Sequence, residues 1–230
     1  MDNMPLKIMI GFDQVESIAA HVLIHSILSR ASRPVAITPV FLRNLGYIYT
    51  RDRDPKQSNE FSFSRFFTPY LSNYEGWSLF LDCDMMFRTD VAELFDLADP
   101  AKAVMVVKHE YTPSTETKYL GAIQYRYPRK NWSSVMLFNN AKCGMLTPEY
   151  VNSAPALDLH QFAWVDDALI GCLPREWNHL VGDYPPNPAA KNVHWTIGGP
   201  YFNEYKDVEF SKEWQEEYEA TIHCTQRKDL

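Results

Sequence analysis

The sequence has little glycine, little cysteine and no long apolar run. Of its 230 residues only 9 are glycine and 4 are cysteine. The cysteines are far apart and form no CxxC pair, which argues against a zinc knuckle and a dense disulfide framework. No segment approaches the ~20 apolar residues of a membrane-spanning helix. The N-terminal residues also lack the basic start and apolar stretch of a secretory signal, so we expect a soluble, cytoplasmic protein.

Basic charge is scarce as well. The chain has 22 Lys and Arg against 29 Asp and Glu, a formal net charge of −7. Non-specific nucleic-acid binding requires a basic surface, so this class of function is disfavoured. Hydrophobic residues make up 46% of the chain and aromatic residues 14%, which is enough for a packed core and excludes a disordered chain. The length fits one domain over 1–230, with a core at 6–205 and a C-terminal helix and tail at 206–230.

The hydrophobic pattern predicts an α/β protein. Strands are predicted at 7–12, 35–42, 77–81, 103–107 and 133–138. Helices are predicted from residue 14 to Arg30, over 61–74 with Pro69 as a kink or boundary, over 90–97, and at the C-terminus with Trp214, Tyr218 and Ile222 on one stripe. Strand–helix–strand units at this spacing are typical of a parallel sheet flanked by helices.

Two aspartates follow the predicted strand at 77–81. Residues two apart in an extended segment point to the same side, so the carboxylates of Asp82 and Asp84 can converge on one divalent cation. Carboxylate oxygens suit Mg²⁺ or Mn²⁺, and α/β folds bind ligands at the carboxyl ends of strands. A structural cap is the alternative. The same spacing at Asp52 and Asp54 falls in a charged loop and is interpreted as a solvated turn.

A histidine would complete such a site. His194 lies in an apolar segment, where a packed core histidine is the common alternative. Gly198 and Gly199 follow it and permit a close backbone approach to a ligand. His109, after the strand at 103–107, is a rival third ligand.

Three further charged residues each have two interpretations. Arg65 lies among aromatic residues, where its guanidinium suits a diphosphate or its stem covers apolar surface. Asp166 and Asp167 follow an apolar stretch. They either cap a helix or direct a carboxylate at a reacting carbon.

In their order along the chain, these segments resemble glycosyltransferase family 8, which has the nucleotide-diphospho-sugar transferase fold called GT-A. The resemblance spans residues 6–205, and its motifs fall at 8–13, 64–71, 79–84, 133–139, 167–178 and 194–198. Three departures stand out. The family's Asn before Ser-Gly falls on Trp132, the Gln of its Asp-Gln-Asp segment falls on Asp166, and the Lys-Pro-Trp that contacts diphosphate is missing after Gly198.

The resemblance implies a single-domain, Rossmann-like GT-A fold with a mostly parallel mixed sheet. It implies metal-dependent transfer, with retention, of a sugar from a nucleotide-diphosphate sugar, UDP-linked, to an unidentified acceptor. Asp82, Asp84 and His194 would hold Mn²⁺ or Mg²⁺, and Asp166, with Asp167 beside it, would face the sugar. The donor-binding positions would be Gly11, Phe12, Asp13, Arg65, Asp82, Cys83, Asp84, Gly198 and Gly199.

Several alternatives remain open. A sugar-phosphate nucleotidylyltransferase needs a Gly-rich loop after the first strand, which residues 11–14 do not supply. The missing Lys-Pro-Trp is compatible with a nucleotide- or glycan-binding module without turnover, or with diphosphate contacts from Arg65, Lys191 or a loop lysine. We expect the acceptor to be a saccharide, and a protein or a modified DNA base is the alternative. The basic loop cluster Lys118, Arg126, Arg129 and Lys130 is a candidate contact for a DNA acceptor, and a solvated loop is the alternative. Three aromatic side chains are candidates for stacking on sugar rings, with core packing as the alternative: Trp164, Trp195 and Tyr201.

Overall fold

The computed structural model describes residues 4–54, 57–110, 117, 119–121 and 127–223. Its strands are β1 (Leu6–Phe12), β2 (Val35–Phe41), β3 (Trp77–Leu81), β4 (Met85–Phe87), β5 (Val104–Val106), β6 (Val135–Asn139), β7 (Ile170–Cys172), β8 (His179–Leu180) and β9 (Asn192–His194). Its α-helices are α1 (Ser17–Leu28), α2 (Thr68–Leu71), α3 (Ala92–Phe95), α4 (Pro148–Ser153), α5 (Ala156–His160) and α6 (Ser211–Ile222).

The main sheet has six strands in the order β2-β1-β3-β6-β5-β7. β1 runs parallel to β2 and β3, and β5 runs parallel to β7. Among these six strands β6 alone runs the other way, pairing antiparallel with β3 and β5. The prediction of a mostly parallel mixed sheet flanked by helices is confirmed. Residues of β3, β5 and β6 are buried almost throughout, because both faces of the sheet are covered.

A second, small sheet joins β4, β9 and β8 in that order. β4 pairs antiparallel with β9, and the register sets Met85 opposite His194. The sequence pattern did not predict these strands, since two or three residues are too few to show a period. The small sheet begins directly after Asp82-Cys83-Asp84, so the aspartates lie where the two sheets meet.

The predicted helix over 61–74 is not one helix. A 3₁₀ turn at Ser64–Phe67 leads into the four-residue α2, with Pro69 in its first turn. Pro is accepted there because the first N–H groups of a helix have no intrahelical partner. Asn73 and Tyr74 then adopt positive φ angles of 55° and 56°, which ends the element.

The C-terminal helix α6 packs against α1 and closes a second apolar cluster. Trp214 is buried there, and Tyr218 stacks on it with 5.5 Å between ring centroids and 5° between planes. Ile222, the third residue of the predicted stripe, is 52% exposed. Only the first two residues of the predicted stripe therefore pack against the rest of the protein.

A buried carboxylate fixes α6 to α1. Glu217 is 6% exposed and accepts a hydrogen bond from Arg30 Nη2 at 2.6 Å, and it also pairs with His25. Burial raises the pKa of Glu217, but the hydrogen bonds from Arg30 and His25 outweigh this and leave the pKa below its ordinary value. The ionised form of Glu217 is therefore the one that stabilises the helix pair.

Across the residues that the structure describes, no helix is both long and apolar enough to cross a membrane. Cys83, Cys143 and Cys172 are free thiols. Cys224 lies outside the described residues, as do Lys118 and Arg126 of the basic loop cluster.

Candidate functional site

The ends of three strands place the predicted ligands together. The backbone N–H of Asp82 donates to Ser134 O at 3.0 Å, which continues the β3–β6 ladder one residue past β3. The N–H of Trp195, directly after β9, donates to Asp84 O at 3.0 Å. These bonds hold the two aspartates beside the end of β9, although the backbone bends at Cys83 and Asp84. Both carboxylates lie next to His194.

Asp82, Asp84 and His194 form a buried cluster. One ligand atom from each lies within 4.8 Å of the others, and the residues are 8%, 8% and 2% exposed. His194 Nε2 is 3.2 Å from Asp84 Oδ1. Two carboxylates confined this closely repel each other, and a divalent cation relieves that repulsion. Two oxygen donors and one imidazole form a donor set that suits Mn²⁺ or Mg²⁺, so these residues fit the metal that the sequence predicts.

His109, the rival ligand, lies behind His194 rather than in the cluster. Its Nε2 is 2.9 Å from Asn178 Nδ2, and Asn178 Oδ1 is 2.9 Å from His194 Nδ1. Burial lowers the pKa of His109 to about 3, with smaller contributions from His194 and Arg175, so the ring is neutral at physiological pH. In the sequence Asn178 is only the last residue of the motif at 167–178. Its position between the two histidines emerges from the fold.

Arg65 is held against the cluster by charge and by packing. Its Nη1 lies 2.8 Å from Asp82 Oδ1 and also donates to Ser133 O at 2.8 Å. The guanidinium carbon lies 5.3 Å from the Phe61 ring centroid and 5.2 Å from that of Phe80. The packing interpretation of Arg65 therefore applies, with its head at the acidic site, and diphosphate binding by the guanidinium stays a prediction.

A cavity of about 450 Å³ lies beside Asp82. Charged and polar side chains in its lining include Arg65, Asp82, Tyr127, Lys130, Ser133 and His160. Burial lowers the pKa of His160 to about 3, with Arg65, Lys130 and Arg51 adding to the shift, so His160 is a neutral wall residue. Its Nδ1 is 3.0 Å from Ser133 Oγ. Volumes of this size are typical of small-molecule sites.

Two of the three candidate diphosphate contacts lie at this cavity. Arg65 and Lys130, a loop lysine, both line it. Lys191 does not, because its Nζ is 2.6 Å from Glu93 Oε2 and its carbonyl accepts from Arg88 N at the far end of the β4–β9 pair.

Asp166 and Asp167 lie at the start of the 3₁₀ turn that leads into β7, and both are exposed. The start of β7 is tied to the start of β5 by the bond from Ala103 N to Leu169 O. Asp166 Oδ1 accepts from Ala168 N at 2.8 Å. The structure thus shows Asp166 capping the turn, and its position facing the sugar stays a prediction.

Asp167 forms an ion pair within the chain. Its Oδ2 is 2.6 Å from Arg129 Nη2, and this hydrogen bond lowers the pKa of Asp167. Arg129 also donates to Gln161 O at 2.7 Å. Arg129 is therefore engaged within the chain and Lys130 beside it is buried, so these two described members of the basic cluster are not a solvated loop.

The two glycines after His194 serve aromatic packing. A Cβ on Gly198 would lie 2.4 Å from the Tyr205 ring, and one on Gly199 would lie 2.2 Å from the Tyr201 ring. The expected close approach occurs, but tyrosines of this chain make it. Tyr201 in turn donates its hydroxyl to Glu16 Oε1 at 2.6 Å, so it is part of the framework rather than a sugar platform.

The other two proposed platforms are core residues. Trp164 is 6% exposed and its Nε1 donates to Leu159 O, while Trp195 is 1% exposed and its Nε1 donates to Glu209 O. Both indoles therefore have their polar group bonded inside the fold, as buried tryptophans require.

The predicted donor-binding start at Gly11 and Phe12 is also packed. A Cβ on Gly11 would lie 2.4 Å from the Phe61 ring, so this ring occupies the space that a side chain at residue 11 would take. Phe12 makes an edge contact with Phe41, with 5.1 Å between centroids.

Asp13 and Cys83 have structural partners as well. The Asp13 carboxylate accepts from Val15 N at 2.9 Å and from Glu60 N at 3.0 Å, which fixes the turn after β1 and the segment beside the cavity. The Cys83 side chain lies in the apolar core between the two aspartates. Burial, and then the nearby carboxylates, beginning with Glu16, raise the pKa of the Cys83 thiol well above its usual range. The thiol is thus protonated and faces the core.

Solved structures with a similar fold are glycosyltransferases. The WbbM bifunctional glycosyltransferase superposes with a TM-score of 0.68 at 17% identity, over 95% of this chain and 50% of that one. GlyE of Streptococcus pneumoniae TIGR4 gives 0.59 at 16%, over 94% and 60%. The galactosyltransferase LgtC, in complex with donor and acceptor sugar analogues, gives 0.59 at 10%, over 96% and 98%. The chain thus spans half of WbbM and 60% of GlyE. At these identities the likeness establishes the GT-A fold.

No protein-family model matches the sequence. A curated relative does, however: Protein CDI of Arabidopsis thaliana is 46% identical over 228 residues, which cover 95% of this chain and 88% of that protein. Identity at this level over nearly the whole length indicates common descent. The chain, with its GT-A fold and its buried Asp-Asp-His cluster, therefore belongs to the family of Protein CDI.

Proposed function

We propose that this protein is a metal-dependent glycosyltransferase that moves a sugar from a nucleotide-diphosphate sugar to an acceptor. One observation carries the proposal: Asp82, Asp84 and His194 converge beside a cavity that also presents Arg65. The GT-A fold, shared with glycosyltransferases of known structure, supports the same reading. A UDP-linked donor and retention of configuration follow from the family 8 resemblance and form the finer part of the proposal.

The difficult step in such a reaction is the departure of a nucleoside diphosphate, on which negative charge builds up. Asp82, Asp84 and His194 would hold Mn²⁺ or Mg²⁺, which supplies Lewis-acid stabilisation of that charge without a proton transfer. Arg65 adds a fixed positive charge at the same place, because Asp82 and the Ser133 carbonyl prevent its head from moving. Lys130, on the cavity wall, takes the place of the missing Lys-Pro-Trp lysine in this proposal.

We also propose that the described chain forms one glycosyltransferase domain. The core at 6–205 contains both sheets, and α6 is joined to it through Glu217 and through Trp214 in the second apolar cluster. This supports α6 as part of the domain rather than a separate appendage.

The test is a donor screen with the purified protein. Nucleotide sugars are added with Mn²⁺, with Mg²⁺ or with EDTA, and metal-dependent thermal stabilisation identifies the donor. Release of nucleoside diphosphate is then measured with saccharides as the first acceptors, followed by protein and modified DNA. Asp84→Asn is expected to abolish release, and the matched Asp96→Asn, at an exposed aspartate paired with Arg33, is expected to leave it unchanged. Stabilisation without any release would favour a binding module. No stabilisation by any nucleotide sugar with either metal would refute the proposal.

A further inference from the structure

Four buried or half-buried side chains form a hydrogen-bonded chain that ends at the metal-site histidine. Tyr184 OH is 2.9 Å from His109 Nδ1, and His109 Nε2 is 2.9 Å from Asn178 Nδ2. Asn178 Oδ1 is 2.9 Å from His194 Nδ1. Asn178 has no exposed surface, so water does not replace these partners. We call Tyr184, His109 and Asn178 the relay.

The orientation of the Asn178 amide follows from its other neighbour. Ser134 donates its hydroxyl hydrogen to Asn131 O at 2.7 Å, so towards Asn178 its oxygen can only accept. The Asn178 atom 2.8 Å from Ser134 Oγ must therefore be the NH₂ group. The same NH₂ faces His109 Nε2, and the carbonyl oxygen faces His194. A flipped amide would set two acceptors, Asn178 Oδ1 and Ser134 Oγ, against each other.

This orientation determines which nitrogen of His194 carries a proton. A carbonyl oxygen only accepts, so His194 Nδ1 must be the N–H that donates to Asn178. Nε2, on the other side of the ring, is then the nitrogen left for a cation, and it points to Asp84 at 3.2 Å. In the opposite tautomer an Nε2–H would donate to Asp84. This hydrogen bond would use the nitrogen that a cation needs.

We propose that Asn178 is a positioning residue that keeps His194 in the Nδ1–H tautomer and thereby makes Asp82, Asp84 and His194 a cation site. The inference rests on the proposed metal-dependent function. Partners that orient a metal-binding histidine through its second nitrogen typically change metal affinity 10- to 100-fold when they are removed. His109 and Tyr184 act one step further out, by holding the Asn178 amide in its orientation.

The experiment compares two variants with the wild type. Asn178→Ala removes the acceptor for His194 Nδ1–H. Asn140→Ala is the matched control, since Asn140 is equally buried and bonds through its amide to Ser78 Oγ and Glu75 O at the other end of β3. Two properties are measured: the His194 tautomer by ¹⁵N NMR of the metal-free protein, and Mn²⁺ affinity by calorimetry.

The expected result is an Nδ1–H His194 in the wild type and in Asn140→Ala. Asn178→Ala should shift to Nε2–H and bind Mn²⁺ about 10- to 100-fold more weakly. A wild-type His194 with Nε2–H overturns the inference, whether or not Mn²⁺ binds. So does an Asn178→Ala variant that binds Mn²⁺ as tightly as the wild type. A wild type that binds no Mn²⁺ refutes the metal-dependent function, and the NMR result still tests the relay.

Discussion

Replacing Arg65 by methionine tests how strongly the acidic site depends on the guanidinium that pairs with Asp82. The side chains of Arg65 and Asp82 are 5% and 11% exposed, and Nη1 lies 2.8 Å from Oδ1. At that separation and an effective dielectric constant of 20, the attraction is about 6 kcal/mol before desolvation is counted. Removing one partner of a buried pair costs about 3–5 kcal/mol, because the other charge stays buried. We expect a loss of this size in the free energy of unfolding of Arg65→Met.

Chemical denaturation and thermal melting measure this loss. For a chain of this length, 3–5 kcal/mol corresponds to a fall of about 6–20 °C in Tm. A cycle with Asp82→Asn separates the ion pair from lost packing, and the two changes should couple by about 2 kcal/mol or more, since the second no longer leaves an unpaired charge. Saturating Mn²⁺ should recover part of the lost stability in Arg65→Met but not in Asp82→Asn.

Two results would refute this reasoning. One is an Arg65→Met loss below 1 kcal/mol, which would mean that the Asp82 charge is not buried as the structure places it. The other is strict additivity in the cycle, which would assign the whole effect to packing against the Phe61 and Phe80 rings.

Three further predictions concern positions outside the cluster. Asp166→Ala should lower the free energy of unfolding by about 1 kcal/mol through loss of its cap, as measured by denaturation, and unchanged stability would contradict the capping role. Glu217→Gln should flatten the acid limb of the stability–pH curve. Because the pKa of Glu217 is depressed in the fold, its contribution is present above its unfolded pKa and is lost as pH falls through the folded value, so an unchanged acid limb would contradict the ion pair. Gly11→Ala should cost about 1–3 kcal/mol by denaturation, because its Cβ meets the Phe61 ring. Phe61→Leu should make Gly11→Ala less costly, and equal costs in both backgrounds would exclude the clash.

Much of the central sheet could be predicted from the sequence, because its strands are long enough to show a pattern. Residues 77–81 were predicted as a strand and form β3 with the same ends. Asp82 and Asp84 converge as their spacing predicts, but the backbone bends at Cys83 and Asp84, so contacts with β9 as well as local spacing bring them together. The small strands β4, β8 and β9 gave no such signal. β9 pairs with β4, which lies more than a hundred residues earlier in the chain, and a local pattern carries no information on such a pairing.

At other site positions, a match to a family motif did not predict the contacts that the side chain makes in the structure. Asp166 matches a family position in order along the chain, and the structure shows it capping the turn before β7, a role that the match does not imply. Gly198 and Gly199 do permit a close approach, but only the fold shows that Tyr205 and Tyr201 fill the space. His109 and His194 were rivals by sequence. In the structure Asn178 hydrogen-bonds to both rings, His194 belongs to the cluster with Asp82 and Asp84, and His109 lies behind it.

The Phe61 ring against Gly11 also has an evolutionary consequence. Phe61 and the adjacent Glu60 N–H fix one wall of the cavity to the end of β1, through Gly11 and Asp13. The segment from 57 to 63 therefore cannot gain or lose a residue without a matching change at the strand end. Among descendants of this chain, positions 11, 13 and 61 should change together or not at all. Variation in cavity shape should come from the facing wall at 155–160, which these contacts do not constrain.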